Sequence, residues 1–359
     1  MRRHIAKIAS VTVVGVAIAV TAAWFFFVHQ TQRAIDQWAG TQRENGFEVT
    51  WQSLGFSGYP FRVNTQVGEP ELIVHQPNRV TTWKSPLLTL KFSSTAPRAI
   101  GFSSPGTHNL HIATDDKTWS AVVNAETLKG QALFLPNDYR RIEKLTGRFA
   151  GLSVTPSNLV EAVTVDQGNF VVTHRAATPV DPQAVHPQGA SFELRLATQD
   201  IYVPEDLLRA NALDTLDPLI NAFSTEFLVN GELNSGSIDI NSLTAWRDSG
   251  GTVEITSIEL RWGPIQIDAN GTLALDDDLQ PVGSFTTQIA GLEQLITVME
   301  ISSVLSPSDA DIAHAILSIL SRRSEDEGLV HVKIPITLQD RTLRLGPVPL
   351  VQFEPITWE

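Results

Sequence analysis

Val253–Leu275 reads VEITSIELRWGPIQIDANGTLAL, and its dominant period is two. Val253 and Ile255 share one phase, while Ile258, Leu260 and Trp262 resume one residue late on the other. Successive side chains of a strand point to opposite faces, so this alternation marks strands with one apolar and one polar face. A one-residue slip would turn the apolar set outward unless the chain absorbs it. A β-bulge is therefore expected near Thr256-Ser257. Ile265 and Ile267 then lead into Asn270-Gly271, and Leu273 and Leu275 leave it. Asn-Gly between alternating runs is a strong hairpin signature, because a type I′ turn needs positive φ at both central positions. A hairpin turning at Asn270-Gly271 is the expectation.

The same style extends in both directions. Downstream, Val330, Val332, Ile334, Ile336 and Leu338 alternate with His331, Lys333, Pro335 and Thr337. Pro335 cannot donate to a ladder, which places this strand at an edge or that position outward. The five apolar residues are the candidate lining of an apolar groove. Upstream, Val49 and Trp51, then Phe61, Val63 and Val67 after Ser57-Gly58, predict a first hairpin. Its aromatic residues Trp51, Phe56, Tyr59 and Phe61 read as core before they read as a ligand surface. Further short runs stand at Leu88-Leu90-Phe92, Leu110-Ile112, Phe170-Val172 and Phe192-Leu194-Leu196, between turns rich in Gly, Pro, Asn and Asp. The fold class is mainly β with a minor α part: a long, twisted antiparallel sheet, open to curling into a groove.

Three stretches carry helical spacing instead. Glu205 to Phe223 places Leu208, Ala212, Leu216, Leu219, Ile220 and Phe223 on one side, with Asp217-Pro218 dividing or kinking it. Leu292 to Leu305 is the second. Ser306-Pro307 opens the third, with a stripe of Ile312, Ile316, Ile319 and Leu320 and with Arg322 and Arg323 at its C-terminal end. The Pro-rich stretch 178–187 is the best linker and the candidate internal division of the domain.

Ile8 to Val28 contains no charged residue. At about 1.5 Å per residue, a helix of that length crosses a hydrocarbon core of about 30 Å. Arg2, Arg3 and Lys7 precede it, which keeps the N-terminus in the cytoplasm and sends the rest across. A cleaved signal is the alternative, with small residues at Thr21-Ala22-Ala23, but Trp24 to Val28 carries the apolar run beyond an ordinary signal core. The layout is then a tip and transmembrane anchor at 1–28, a juxtamembrane helix at 29–46 and a β-rich domain at 47–359. The juxtamembrane helix carries a stripe of Ile35, Trp38 and Ala39 and stops at Asn45-Gly46.

Composition narrows the function. The chain has 26 basic against 39 acidic side chains and a net charge of −13, which repels nucleic acid. It has no cysteine, so disulfides, thiolate metal sites and cysteine nucleophiles are excluded together. His108 and His111 have a metal-like spacing, but on a strand they face opposite sides and read as surface or turn histidines. Asp276, Asp277 and Asp278 read as an acidic turn, since no terminal Glu completes a calcium loop. The chain contains no G-x-S-x-G, phosphate loop, G-x-G-x-x-G or H-E-x-x-H. No catalytic residue, cofactor or metal is expected, and the chain does not read as an enzyme.

Gly58–Val63 (GYPFRV), Trp262-Gly263, Ala269–Phe285 (ANGTLALDDDLQPVGSF) and Leu345–Leu350 (LGPVPL) resemble an alphaproteobacterial membrane-protein family, domain of unknown function 2125. The layout matches over nearly the full length, and no catalytic residue comes with the resemblance. A looser likeness to AsmA-like envelope proteins rests on the N-G-x-L-x-L-D style and the N-terminal anchor. It implies a curved sheet with an apolar inner surface and contact with phospholipid. These resemblances place the chain in a bacterial inner membrane through residues 8–28, with its bulk in the periplasm. Two roles stay open: lipid handling in an apolar groove, or a structural or interaction role with the groove filled by helices. Three helices do not obviously cover some fifteen strands, at a mean of about 5–6 residues each. The anchor predicts that a C-terminal alkaline phosphatase fusion is active in cells. N-terminal sequencing of the purified protein should begin at or beside Met1, not at Trp24.

Overall fold

In the computed structural model the described residues are 2–44, 46–60, 62–76, 78–93, 96–114, 117–136, 138–175, 191–231, 240–302, 305–321 and 332–358. α1 (Arg2–Glu44) is one unbroken helix, so anchor and juxtamembrane segment form a single rod of about 65 Å. No proline interrupts it. It ends where Gly46 takes φ +83° and donates its N–H to the Arg43 carbonyl at 3.2 Å. Thr21, Trp24, Val28, Thr31, Ile35 and Ala39 form its less exposed side, a stripe at three- and four-residue steps. Ala39 is 1% exposed against the strands, whereas Trp38, grouped with it from the sequence, is 53% exposed. Adjacent helix positions point about 100° apart, and the stripe passes Trp38 by.

The chain divides into two compact units: Met1–Ile142 with Gly147–Val160, and Glu143–Thr146 with Glu161–Glu359. In the first, β1 (Phe47–Thr50), β2 (Ser53–Ser57), β3 (Arg62–Gly68), β4 (Glu71–Gln76), β5 (Arg79–Lys84), β6 (Leu87–Ser93), β7 (Ala99–Ser103) and β8 (Gly106–Thr114) precede the long β9 (Thr118–Leu135) and β10 (Asp138–Pro156). The short strands pair as halves of longer ones. β1, β4, β5 and β8 join edge to edge and end on the first half of β9, while β2, β3, β6 and β7 end on its second half. The breaks at Trp51-Gln52, Glu69-Pro70, Ser85-Pro86 and Ser104-Pro105 therefore lie side by side as a crease. Pro70, Pro86 and Pro105 remove ladder donors there. β3–β4 and β5–β6 also change phase at the crease: the buried face of β3 carries odd-numbered Val63, Thr65 and Val67, whereas even-numbered Leu72 and Val74 of β4 share the face of buried Val49. Buried Ser85 and Ser104 hold the crease, with their hydroxyls 2.7 Å apart and Ser104 Oγ donating to the Leu87 carbonyl at 2.7 Å.

The second unit is an up-and-down meander. β11 (Val163–Arg175), β12 (Ser191–Tyr202), β13 (Leu219–Asn230), β14 (Thr252–Trp262), β15 (Ile265–Leu275), β16 (Pro281–Ala290), β17 (Val332–Gln339), β18 (Thr342–Leu345) and β19 (Val348–Gln352) each pair antiparallel with the next. The expected slip is present: the β14–β15 register shifts between Ile255 and Ile258. The expected hairpin at Asn270-Gly271 is not. Both residues lie inside β15, and the turns fall at Gly263-Pro264 and 276–280. Ile265, Ile267, Ala269, Gly271, Leu273 and Leu275 are in one unbroken phase, which is the pattern of a strand passing straight through. Gly271 is needed for another reason. A Cβ there would stand 2.3 Å from the Ser284 carbonyl oxygen and 2.6 Å from the Phe285 ring, its cross-strand partner.

The helices also differ from expectation. Glu205 to Phe223 is not one helix: α2 (Glu205–Ala210) stops early, Ala212 takes φ +53°, and β13 begins at Leu219 just after Pro218. Phe223, Thr225, Phe227 and Val229 alternate, and pairing on both sides outweighs the weak helical spacing. α3 (Ile240–Asp248) was not foreseen; its apolar signal is only Leu243 and Trp246, three apart. α4 (Leu292–Ile301) is shorter than expected, and α5 (Pro307–Ser321) starts at Pro307 as expected. α5 buries Ala310 and Ala313, while Ile312 is 49% exposed. The side chains of Ile316, Ile319 and Leu320, and residues 178–187, 322–323 and Val330, lie outside those described. β17 is an inner strand, between β16 and β18. Its ladder to β18 opens at Ile336↔Leu345, so the missing donor of Pro335 falls just past the ladder's end. Gly271→Val should lower the stability of the protein by roughly 1–3 kcal/mol, through overpacking against β16. A melting temperature equal to that of the parent would contradict the Gly271–Phe285 contact.

Candidate functional site

The register of the second unit places apolar residues in continuous rows. One runs Val172, Leu194, Phe227, Ile255, Gly271, Phe285, Ile336 and Leu345 from β11 to β18. A second runs Phe170, Leu196, Thr225, Ile258, Ala269, Thr287 and Ile334. Phe192, Val229, Val253, Leu273, Gly283 and Leu338 form a third, and Phe223, Leu260, Ile267, Ile289 and Val332 lie in a fourth. With strands about 4.8 Å apart, the longest row spans about 34 Å. The opposite face is polar, with Glu254, Glu259, Asp268, Gln288 and Lys333 at the intervening positions. Arg195 bridges Glu193 at 2.6 Å and Glu226 at 3.1 Å on that side, and Arg261 bridges Asp268 at 2.6 Å.

Among the described residues, one buried cluster of helix on sheet covers a corner of the apolar face. α4 and α5 bring Leu292, Ile296, Leu305, Ala310 and Ala313 onto Ile289, Val332 and Val348, a buried cluster with Ile267, Ile334 and Leu345 at its margin. Away from this corner, Leu194, Leu196, Phe227, Ile255, Ile258, Leu273, Phe285 and Ile336 are all half-buried, shielded by lateral neighbours. An apolar expanse of this width exceeds the patches that monomers ordinarily leave to water. Of the residues read from the sequence as groove lining, Val332 is 5% exposed beneath the helices. Ile334 packs at the cluster margin, and Ile336 and Leu338 lie on the uncovered part. The sequence reading stopped at β17. The wider face was present in the same alternation, but only the register lines the strands up.

Polar candidates fall apart. His108 is 4% exposed, stacked on Trp83 and 2.9 Å from the Ser104 carbonyl through Nε2, so it is a buried strand residue, not a surface one. His111 lies on the opposite, exposed side of β8. Asp276 accepts from the N–H groups of Asp278 and Gln280 at 2.9 and 2.8 Å, and Arg247 donates to the carbonyls of Asp276 and Asp277, so the acidic run is a turn. Among the described residues no three His, Asp or Glu side chains gather as a metal site. A recess of about 330 Å³ on the polar face is lined by Glu259, Asp268, Asn270, Gln288 and Lys333 beside the β14 bulge.

The family follows from comparison with known proteins. The chain belongs to domain of unknown function 2125. That family, described as an uncharacterized protein conserved in bacteria, matches residues 24–354 and so takes in both units and most of the strand pattern. No curated protein matches the chain. The chain thus combines one described helix long and apolar enough to cross a membrane, Val14–Glu44, with a β-rich body. The uneven cover of the apolar face has a measurable consequence. Ile289→Ala, beneath α4, should cost about 2–5 kcal/mol of stability. Ile255→Ala, on the uncovered part, should cost less than about 1.5 kcal/mol, since it returns surface already partly wet. Equal losses in chemical denaturation would mean that the face is covered.

Proposed function

We propose that this chain is a non-catalytic, membrane-anchored protein of the bacterial cell envelope that holds lipid acyl chains on the apolar face of its second unit. Its N-terminus lies in the cytoplasm, α1 crosses the inner membrane and the strand-rich body stands in the periplasm. The observation that carries this reading is the half-buried row Leu194, Phe227, Ile255 and Phe285, with no helix over it among the described residues. Each methylene moved out of water onto such a face gains about 0.8 kcal/mol. A face this wide, tied to a bilayer, is therefore a favourable seat for a lipid tail. The likeness to AsmA-like envelope proteins is an analogy of layout and supplies no residue to the argument.

A structural role without ligand is the second reading, favoured by the α4–α5 cluster that already closes one corner. The two separate by photo-crosslinking in cells. A photoreactive residue at Ile258 should capture phospholipid, and one at Glu259, on the polar face, should not. At Ile334, beside the helices, it should capture mainly its own chain. Own-chain crosslinks alone at Ile258 would end the lipid reading and leave the structural one.

A further inference from the structure

The β2–β3 turn does not lie clear of α1. Tyr59 Oη is 2.8 Å from Thr21 Oγ1, its ring packs edge-on against Trp24 at 5.7 Å, and Trp24 Nε1 donates to the Arg62 carbonyl at 2.9 Å. Thr21 stands seven residues before Val28, where the uncharged run ends, so it lies about 10 Å inside that end of the helix. Any bilayer that takes in the apolar run also takes in the turn. Tyr59 is nevertheless 54% exposed, beside Phe25, Phe26 and Phe27 at 62%, 59% and 59%. Tyr and Trp rings favour the depth of the headgroup boundary. Tyr59 is thus not the core residue that the aromatic run suggested.

Charge is distributed to match. Strands within 53–68, 85–104 and 127–136 meet at this end of the first unit, and β10, paired with β9, starts there at Asp138. These segments contain no Asp or Glu and hold Arg62, Lys91, Arg98 and Lys129, while the start of β10 sets Asp138 beside Arg140 and Arg141, so the end is net basic in a chain of net charge −13. Arg62, Lys91 and Lys129 are exposed. Across the crease, Glu48, Glu69, Glu71 and Glu126 reappear. A net basic end beside an apolar helix is suited to the phosphates of anionic lipid.

We infer that the β2–β3 turn dips into the outer leaflet of the membrane that α1 spans, and that the adjoining basic half-sheet rests on its anionic headgroups. This rests on α1 being a membrane span and not on lipid held by the second unit. The absence of cysteine allows single labels. The full chain, in vesicles of phosphatidylethanolamine with phosphatidylglycerol, would carry an environment-sensitive fluorophore at Ser57→Cys, Tyr59→Cys or Lys117→Cys. Ser57 leaves the Tyr59 contacts in place, and Lys117 lies at the opposite end of the strands. Nitroxide-labelled lipid should quench the labels at 57 and 59 several-fold and leave the label at 117 unchanged. Exchanging Arg62, Lys91 and Lys129 for Gln should weaken the quenching at 57. Emission at 57 and 59 as insensitive to nitroxide as that at 117 would overturn the inference. Phospholipid capture at Ile258 in that case would leave the proposed function standing, and its loss with quenching intact would do the reverse.

Discussion

The alternation of apolar and polar side chains across a hydrogen-bonded ladder is the constraint on which the rest depends. A sheet's two faces are decided by parity, so one added residue exchanges them for the remainder of a strand. This chain adds residues in two places and absorbs each with backbone. In the first unit the strands from β1 to β8 are interrupted at the same level, and past Pro70 and Pro86 the next ladder begins on the other phase. In the second, the bulge at Ile255/Ile258 keeps Val253, Ile255, Ile258, Leu260 and Trp262 on one face. Without those slips the apolar rows would be broken and lose their width.

Cover is the second determinant. A sheet face eight strands wide needs a layer of helices to become a core, and among the described residues α4 and α5 provide one over Ile289, Val332 and Val348. The buried set there is made of small and branched residues, Ala310 and Ala313 against Ile289 and Ile296, which lets helix and sheet approach closely. In the middle of the face Phe227, Phe285 and Ile258 are half-buried, with no helix over them among the described residues. Burial rather than composition separates the part that stabilises the fold from the part free to bind.

α1 holds the first strands more closely than a flexible tether would. Its inward stripe continues from Ala39 down to Thr21, and two side-chain hydrogen bonds fix the β2–β3 turn to it. Under the proposed membrane span, the depth of the helix sets the depth of the first strands.

By itself the sequence determined the long apolar N-terminal helix, the β class, the bulge at Thr256-Ser257 and the start of α5 at Pro307, because each is encoded locally by hydropathy, period or a proline. It also held the family resemblance now supported over residues 24–354. What it left ambiguous were signals with two local solutions. Asn270-Gly271 can close a turn or sit in a strand, and only the cross-strand Phe285 requires glycine in the latter setting. Leu219 to Phe223 satisfies helical spacing as well as alternation, and the neighbours β12 and β14 decided for the strand. Which apolar residues are covered was decided by tertiary structure alone. Ile334 and Ile258 have the same pattern in sequence and the same row in the sheet, yet one meets α4 and α5 and the other meets no helix. Helix docking joins residues far apart in the chain, and periodicity does not record the distance between them.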